Sequence, residues 1–222
     1  ASDVYKRQCL YLPLYDTLID MQIGLDDDSS LEKIAFQNKP LVFYGTSITQ
    51  GGCASRPGLV HTNIISRKLG NECINLGFSG NGHLENSIGN IMSNIDTKLY
   101  VVECMYNVDK EMIKKRTKPL IKAIRANLQA KNTPIVFMEQ AVIDMGHLNT
   151  EFISSVMEKN EELNKQIQGS IHGGERNLFI IKHTGAIDKD SEATVDGIHF
   201  NDLGFQRYAD HLLKNIKELD IL

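Results

Sequence analysis

From residue 39 onward, short apolar segments alternate with longer segments in which apolar residues recur at helical spacing. The short segments are almost continuously apolar, which is expected of strands that are buried on both faces of a parallel sheet. The alternation therefore predicts an α/β domain, a three-layer α/β/α sandwich with about five parallel strands and helices on both faces. The predicted strands span residues 41–44, 72–76, 98–104, 134–138 and 177–181.

Helices are predicted between and after these strands. In the fourth of them, Phe152, Val156, Leu163 and Ile167 fall on one face, as in an amphipathic helix that packs on a core. The expected helices span residues 59–69, 84–95, 119–130, 151–171 and 203–216.

The first forty residues have a different pattern. Ile19, Met21 and Ile23 alternate with polar residues, and residues 10–15 form a second β-rich run, so the segment predicts a β-hairpin. A two-stranded hairpin is marginal in water by itself, which favours the end of a preceding β-domain, with docking on the α/β domain as the alternative. Residues 26–30 predict a solvated linker, followed by a short helix from Leu31.

Residues 3–8 resemble the translation of a transposon end used to prepare sequencing libraries, so they are left out of the fold prediction as a scar. The expected organisation is therefore a scar, a β-domain remnant and a linker over residues 1–38, followed by one α/β domain over residues 39–222.

The composition mainly excludes classes of partner and site. The 222-residue chain carries 24 Lys and Arg against 28 Asp and Glu, a net charge of -4, which argues against a nucleic-acid partner. No window approaches the ~20 apolar residues that cross a membrane. The cysteines Cys9, Cys53, Cys73 and Cys104 lack C-x-x-C spacing, which favours free thiols over a disulfide and disfavours a metal site. No cofactor is expected.

The first segment with potential chemistry is the glycine-rich run 45–52, which directly follows the first predicted strand. Open α/β sheets bind ligands beyond the carboxyl ends of their strands, so Ser47 is placed where a nucleophile could meet a substrate. The alternative is a plain turn in which Ser47 satisfies nearby backbone amides. A phosphate-binding loop is disfavoured, because no lysine follows the glycines at the required spacing.

A second segment, near the other end of the chain, supplies a carboxylate and an imidazole. Asp196 and His199 are three residues apart in a predicted turn, so the carboxylate can reach one ring nitrogen while the other points towards Ser47. The alternative is a solvated turn that caps the last helix. Both residues follow the last predicted strand and precede a helix, which places them at the same edge of the sheet as Ser47.

Two further loops at that edge offer hydrogen-bond donors for an oxyanion. Gly80 lies in the loop after the second strand, where its backbone amide can face the site, and Asn107 lies in the loop after the third strand. The alternatives are a plain glycine turn and a turn or cap residue.

Taken in order, Ser47, Gly80, Asn107 and the Asp196–His199 pair resemble the four motif blocks of the SGNH superfamily of serine hydrolases, also called the GDSL family, over about residues 41–204. The resemblance implies a flavodoxin-like sandwich, with Ser47 as nucleophile, His199 as general base and Asp196 as its orienting carboxylate. It also implies an oxyanion hole made by the Ser47 and Gly80 amides and the Asn107 side chain.

Some positions depart from the family pattern. Thr46 replaces the Asp of the first block, while Met105 and Val108 replace a Gly and an Asp of the third block around Asn107. A classical α/β-hydrolase is disfavoured, because its nucleophile elbow would require glycine at Thr49.

The strings 45–58 and 75–85 are most similar to a bacterial branch of the superfamily that carries a β-rich N-terminal domain. That branch implies a periplasmic or secreted enzyme that removes short acyl groups such as acetyl from carbohydrate, with a small-molecule or polysaccharide ester as substrate. Thioesterase activity is an alternative that the sequence leaves open. The alternative is a catalytically inactive SGNH-fold module that binds carbohydrate or acts as a scaffold.

Further residues near the four blocks are candidates for binding substrate, the alternative being loop packing or an ion pair between Arg56 and Glu85. These candidates are Arg56, Asn81, His83, Glu85 and Tyr106. The remaining histidines lack a paired motif and are expected to be surface or core residues. They are His61, His147, His172, His183 and His211.

Overall fold

The computed structural model describes residues 8–142, 149–188 and 190–221. Its centre is a parallel sheet of five strands in the order β2-β1-β3-β4-β5. The strands are β1 (Leu41–Gly45), β2 (Cys73–Gly77), β3 (Leu99–Glu103), β4 (Ile135–Met138) and β5 (Leu178–Ile181). Each begins and ends within a residue or so of its predicted bounds, and the predicted α/β fold class is confirmed.

Helices cover both faces of the sheet. They are α1 (Ser47–Gln50), α2 (His61–Leu69), α3 (Asn86–Ser93), α4 (Lys110–Ile124), α5 (Thr150–His172) and α6 (Asp202–Glu218). Helix α2 packs beside α6 on one face, and α3, α4 and α5 pack side by side on the other. Short 3₁₀ turns lie at Pro57–Leu59 and Leu128–Ala130.

The side chains of β1 show why its sequence is apolar throughout. Leu41 and Phe43 belong to the core under α2 and α6, whereas Val42 and Tyr44 belong to the core under the other three long helices. Successive side chains of a strand point to opposite faces, so a sheet covered on both sides buries every position.

The start of α4 differs from the prediction. The helix expected at residues 119–130 begins nine residues earlier, at Lys110, where the Asp109 side chain accepts a hydrogen bond from the Met112 amide at 2.7 Å. Pro119 therefore lies inside the helix rather than at its first turn. The helix tolerates it because an apolar face containing Ile113, Leu120 and Ile124 is fully buried against the sheet.

The predicted N-terminal hairpin is wrong, as is the short helix from Leu31. Residues 8–40 form no strand or helix in the part of the chain described. In the described part of the chain, the alternating apolar residues pair with no strand, and Ile19 is 95% exposed. Residues 11–15 dock on the α/β domain, through Tyr11, Leu14 and Tyr15.

The four cysteines are unpaired thiols. Cys104 is buried in the core and burial raises the pKa of Cys73 to about 12, so neither favours the thiolate at neutral pH. Within the described ranges, none of the helices combines the length and hydrophobicity required to cross a bilayer. His147 and residues 3–7 of the predicted scar lie outside those ranges.

Candidate active site

Ser47 lies in a tight turn at the carboxyl end of β1. The chain passes from Gly45 into the single turn of α1, where Thr46 is the N-cap and its side chain accepts a hydrogen bond from the Ile48 amide. The turn closes at Gly51, whose φ of 107° is in the left-handed region that favours glycine. The amides of Gly51 and Gly52 both donate to the Ser47 carbonyl, at 2.9 and 2.8 Å.

The structure brings Ser47, His199 and Asp196 together in one chain of hydrogen bonds. Ser47 Oγ lies 3.0 Å from His199 Nε2, and His199 Nδ1 lies 2.7 Å from Asp196 Oδ2. The other carboxylate oxygen, Oδ1, accepts the backbone N–H groups of Ile198 and His199, at 2.9 and 2.7 Å. One carboxylate therefore both folds the turn and orients the imidazole.

The protonation states follow from these contacts. Partial burial raises the pKa of Asp196, but the hydrogen bonds from the His199 ring and from the two backbone amides outweigh that effect and lower its pKa to about 2. An ionised carboxylate only accepts hydrogen bonds, so Nδ1 of His199 carries a proton. In the neutral ring Nε2 then has a lone pair that can accept the Ser47 hydroxyl proton.

The loop that carries Gly80 lies against the Ser47 turn. The Phe78 amide donates to the Gly45 carbonyl at 3.0 Å, and the Ser79 amide donates to the Gln50 side chain at 2.7 Å. A Cβ on Gly82 would meet the Gly45 carbonyl oxygen at 2.3 Å, so only glycine permits this approach. Gly80 itself has a φ of 67° and is exposed.

Asn107 joins that loop from the end of β3. Its side-chain Nδ2 donates to the Asn81 carbonyl oxygen at 2.7 Å. An amide nitrogen carries two hydrogens, so this bond fixes the orientation of the Asn107 amide and leaves one N–H for another acceptor. The two loops predicted to supply oxyanion donors are thus joined to each other.

The candidate substrate-binding residues have different surroundings. Arg56 is exposed, and the alternative Arg56–Glu85 ion pair is not formed. Glu85 instead accepts the Tyr44 hydroxyl and the His83 amide. Partial burial raises the pKa of Glu85, but the hydrogen bonds from Tyr44 and His83 lower it overall.

Asn81 is exposed beside Gly80, and the side chains of His83 and Glu85 remain 28% and 32% exposed. The Tyr106 ring packs on Phe200 with its centroid 6.4 Å away, and its hydroxyl is buried, which raises the pKa of Tyr106. Tyr106 therefore presents its polar group to the interior rather than to solvent.

Two sets of contacts around Ser47 were not predicted from the sequence. The N-terminal segment 11–15 reaches the turn, with the Tyr15 hydroxyl donating to the Ser47 carbonyl at 3.3 Å and the Leu14 carbonyl accepting from Gln50 at 3.0 Å. The paired glycines at 51 and 52 indicate that another segment packs closely against this turn, but they do not identify that segment. The second set is a buried polar cluster below α1, formed by Thr49, His61 and Glu103.

Within the described ranges, no group of three or more histidine, cysteine or acidic side chains could hold a metal ion. Ser47, His199 and Asp196 bring a hydroxyl, an imidazole and a carboxylate together at this edge.

The chain is similar to known proteins in sequence and in structure. The profile of the GDSL-like lipase/acylhydrolase family matches residues 38–217. Among curated proteins, none matches the chain. A solved structure from Bacteroides ovatus, described as a GDSL-like lipase, is 33% identical with a TM-score of 0.89, over 96% of this chain and 63% of that one. The chain thus spans less than two thirds of that relative.

Two solved structures below 25% identity share the fold. A salicylyl-acyltransferase from a tetracycline biosynthetic pathway is 18% identical with a TM-score of 0.73, over 87% of this chain and 58% of that one. A family two carbohydrate esterase from Clostridium thermocellum, in complex with cellohexaose, is 16% identical with a TM-score of 0.61, over 86% and 68%. Sequence match and structural likeness agree that the chain belongs to the GDSL-like lipase/acylhydrolase family.

Proposed function

We propose that this protein is a serine ester hydrolase that works through an acyl-enzyme on Ser47. The observation that carries the proposal is the continuous hydrogen-bond chain from Ser47 Oγ to His199 and on to Asp196, with links of 3.0 and 2.7 Å. A serine hydroxyl is a weak nucleophile at neutral pH until a neighbouring base accepts its proton, and this arrangement provides that base.

In the first half of the reaction, His199 Nε2 takes the Ser47 proton while Oγ attacks the ester carbonyl carbon. The imidazolium that forms is stabilised by the ionised Asp196 at Nδ1. His199 then gives the proton to the leaving alcohol as the carbon–oxygen bond breaks. In the second half, His199 accepts a proton from water as the water oxygen attacks the acyl carbon. His199 then returns that proton to Ser47 Oγ as the bond between Oγ and the acyl carbon breaks and the carboxylic acid leaves.

The oxyanion that develops on the carbonyl requires fixed donors. The backbone N–H of Ser47 is in the first turn of α1, where a helix offers its amides no internal acceptor. The Gly80 amide and the free N–H of Asn107 lie in the two joined loops beside it. Removing one such donor typically lowers the rate about 10²- to 10³-fold.

The preferred substrates, in this proposal, are esters of short acyl groups such as acetyl on carbohydrate. Ser47 is only 9% exposed, but the side chains of His199 and Asp196 are 32% and 49% exposed, so the imidazole and the carboxylate are open to solvent. Asn81 is exposed beside Gly80, and the His83 side chain in the same loop is 28% exposed, which suits a hydroxyl-rich alcohol. The carbohydrate esterase from Clostridium thermocellum shares this fold.

The test is hydrolysis of p-nitrophenyl acetate by the wild type, Ser47→Ala and His199→Ala, together with labelling by a fluorophosphonate. We expect each variant to lose at least about 10³-fold in kcat, since residues that act as one unit fail together. Labelling should require Ser47. Two variants as active as the wild type would contradict the triad, and an unlabelled, folded wild type would favour an inactive carbohydrate-binding module instead.

A further inference from the structure

A buried polar cluster lies below the nucleophile turn. It consists of Thr49 on α1, His61 at the start of α2 and Glu103 at the end of β3. The Thr49 hydroxyl donates to Glu103 Oε2 at 2.8 Å, and His61 Nε2 lies 3.0 Å from the same oxygen. Thr49 and His61 are fully buried and Glu103 is 5% exposed, so none of them can touch a substrate from this position.

The surroundings of this cluster are aromatic. The His61 ring is stacked on Phe205 and is edge-on to Phe43 and Tyr208, with centroid distances of 5.9, 5.9 and 5.0 Å. Burial and the neighbouring Glu103 raise the pKa of Tyr208. A carboxyl group in such a setting loses its hydration, and apolar side chains of similar size would stabilise the core at least as well. Stability alone therefore gives no reason for Glu103 at this place.

The cluster does constrain the turn that carries Ser47. Helix α1 has only four residues, too few to hold its own conformation. Thr49 anchors it twice, through its hydroxyl on Glu103 and through its carbonyl oxygen, which accepts Asn75 Nδ2 at 2.6 Å. A Cβ on Gly45 would lie 2.0 Å from Thr49 Oγ1, so glycine at 45 leaves the room in which Thr49 reaches Glu103.

Glu103 also joins two parts of the candidate site. It pairs with Gly45 in the β1–β3 register and is four residues before Asn107 in the same chain segment. The bond from Thr49 therefore fixes the Ser47 turn relative to β3, the strand that leads into the Asn107 loop. A displacement of about 1 Å between reacting groups can cost about 10²-fold in rate, so such a tether affects catalysis without contact.

We propose that Thr49 and Glu103 are positioning residues, whose buried hydrogen bond holds the Ser47 hydroxyl in line with His199 Nε2. The inference rests on the proposed function, because it assigns a role to these residues in the reactivity of Ser47. His61 supports the pair by holding the same carboxylate oxygen of Glu103 from the side of α2.

The test compares Thr49→Val, which keeps shape and removes the hydroxyl, with Thr49→Ser, which keeps the hydroxyl. The matched control is Thr117→Val on α4, a fully buried threonine whose hydroxyl donates to the Ile113 carbonyl on the other face of the sheet. Each variant is measured for kcat and KM on p-nitrophenyl acetate, for the rate of fluorophosphonate labelling of Ser47, and for its thermal unfolding midpoint.

We expect Thr49→Val and Glu103→Gln to lower kcat and the labelling rate by about 10- to 100-fold with KM changed less than about threefold. Thr49→Ser should restore most of the rate, and Thr117→Val should retain wild-type kinetics whatever its stability. A Thr49→Val protein that matches Thr117→Val in labelling and kcat would overturn the positioning role alone. A wild type without Ser47-dependent turnover or labelling would overturn the proposed function and this inference with it.

Discussion

At the scale of single residues, the acid and the base of the candidate triad come from one turn. Asp196 uses Oδ1 to accept two amides of its own turn and Oδ2 to accept the His199 ring. Because Asp196 and His199 are three residues apart, the same carboxylate both shapes the turn and selects the tautomer of the His199 ring. The choice of tautomer depends on the carboxylate being ionised, which its pKa of about 2 ensures at neutral pH.

Replacing that carboxylate by an amide separates these roles. In Asp196→Asn the amide oxygen can still accept the backbone amides, but the NH₂ group faces His199 Nδ1 and favours the tautomer with its proton on Nε2. We expect kcat for p-nitrophenyl acetate to fall about 10³- to 10⁴-fold with little loss of stability, as amide replacement does in the serine protease triad.

The control for this substitution is Asp210→Asn. Asp210 is a surface carboxylate on α6 that pairs with Lys68, outside the triad, and its substitution should leave kcat unchanged. Full activity in Asp196→Asn would show that His199 needs no orienting carboxylate.

At the scale of elements, the N-terminal segment 11–15 and the Ser47 turn form one packed unit. Leu14 fills the space beside Gly51, where an added Cβ would meet Leu14 Cδ1 at 2.4 Å. Tyr15 lies beside Gly52 in the same way. A Cβ added to Gly52 would lie 2.8 Å from the Tyr15 hydroxyl and 3.7 Å from His199 Cδ2. The segment therefore reaches the immediate surroundings of the imidazole.

This packing predicts different costs for two glycine substitutions. Gly51→Ala combines a left-handed φ with a clash against Leu14, whereas Gly70→Ala has a φ of 65° and no atom within 4 Å of the added Cβ. We expect Gly70→Ala to lower the free energy of unfolding by about 1 kcal/mol and Gly51→Ala by about 2 to 3 kcal/mol.

Urea denaturation and p-nitrophenyl acetate hydrolysis measure the two effects. Only Gly51→Ala should also lose activity, because the Gly51 amide bonds the Ser47 carbonyl. Equal losses of stability with unchanged activity in both variants would mean that the N-terminal segment does not brace the turn.

The sequence predicted correctly those features whose pattern lies within one short segment of the chain. The strands were predicted closely, because burial on both faces makes each of them a continuous apolar run. The start of α4 was misplaced because Pro119 is usually a first-turn residue, and here a buried face outweighs that preference. The prediction of an N-terminal hairpin was wrong because the alternation of apolar and polar residues does not show whether a partner strand exists.

The same distinction holds for the site. The turn with Asp196 and His199 is local, and the order of the strands brings it to Ser47. The Glu103 cluster joins residues 54 and 42 positions apart without any spacing motif, so only the folded chain reveals it.

At the scale of the whole molecule, the strand order explains where the site lies. Strand β1 is flanked by β2 on one side and β3 on the other, so the connection leaving β1 for β2 and the connection leaving β3 for β4 run in opposite directions across the sheet. Open α/β sheets bind ligands at such a reversal, because the loops diverge and leave a crevice. The loops carrying Ser47, Gly80 and Asn107 follow these three adjacent strands, which accounts for their convergence.

Stability of the whole fold should also respond to pH through Lys159 on α5. Its ammonium donates to the Met105 carbonyl at 2.9 Å, two residues before Asn107, and burial lowers the pKa of Lys159 to about 8. The unfolded chain has a lysine pKa near 10.4, so between about pH 8 and 10 it binds more protons than the native state. Stability must then rise with pH over that interval through this group.

We expect the difference in urea midpoint between the wild type and Lys159→Met to grow in favour of the wild type from pH 8 to pH 10. Lys165→Met, at an exposed position on the same helix, should show no such trend. Buried tyrosines make the opposite contribution at higher pH. Burial raises the pKa of Tyr100 to about 12, for example, so this group lowers the stability of the fold as the pH rises above about 10. The tyrosines are the same in all variants, so comparing variants cancels their contribution. A pH-independent difference for Lys159→Met would mean that the lysine is as well solvated in the native state as in the unfolded chain, and that the Asn107 loop is not supported by a desolvated ammonium.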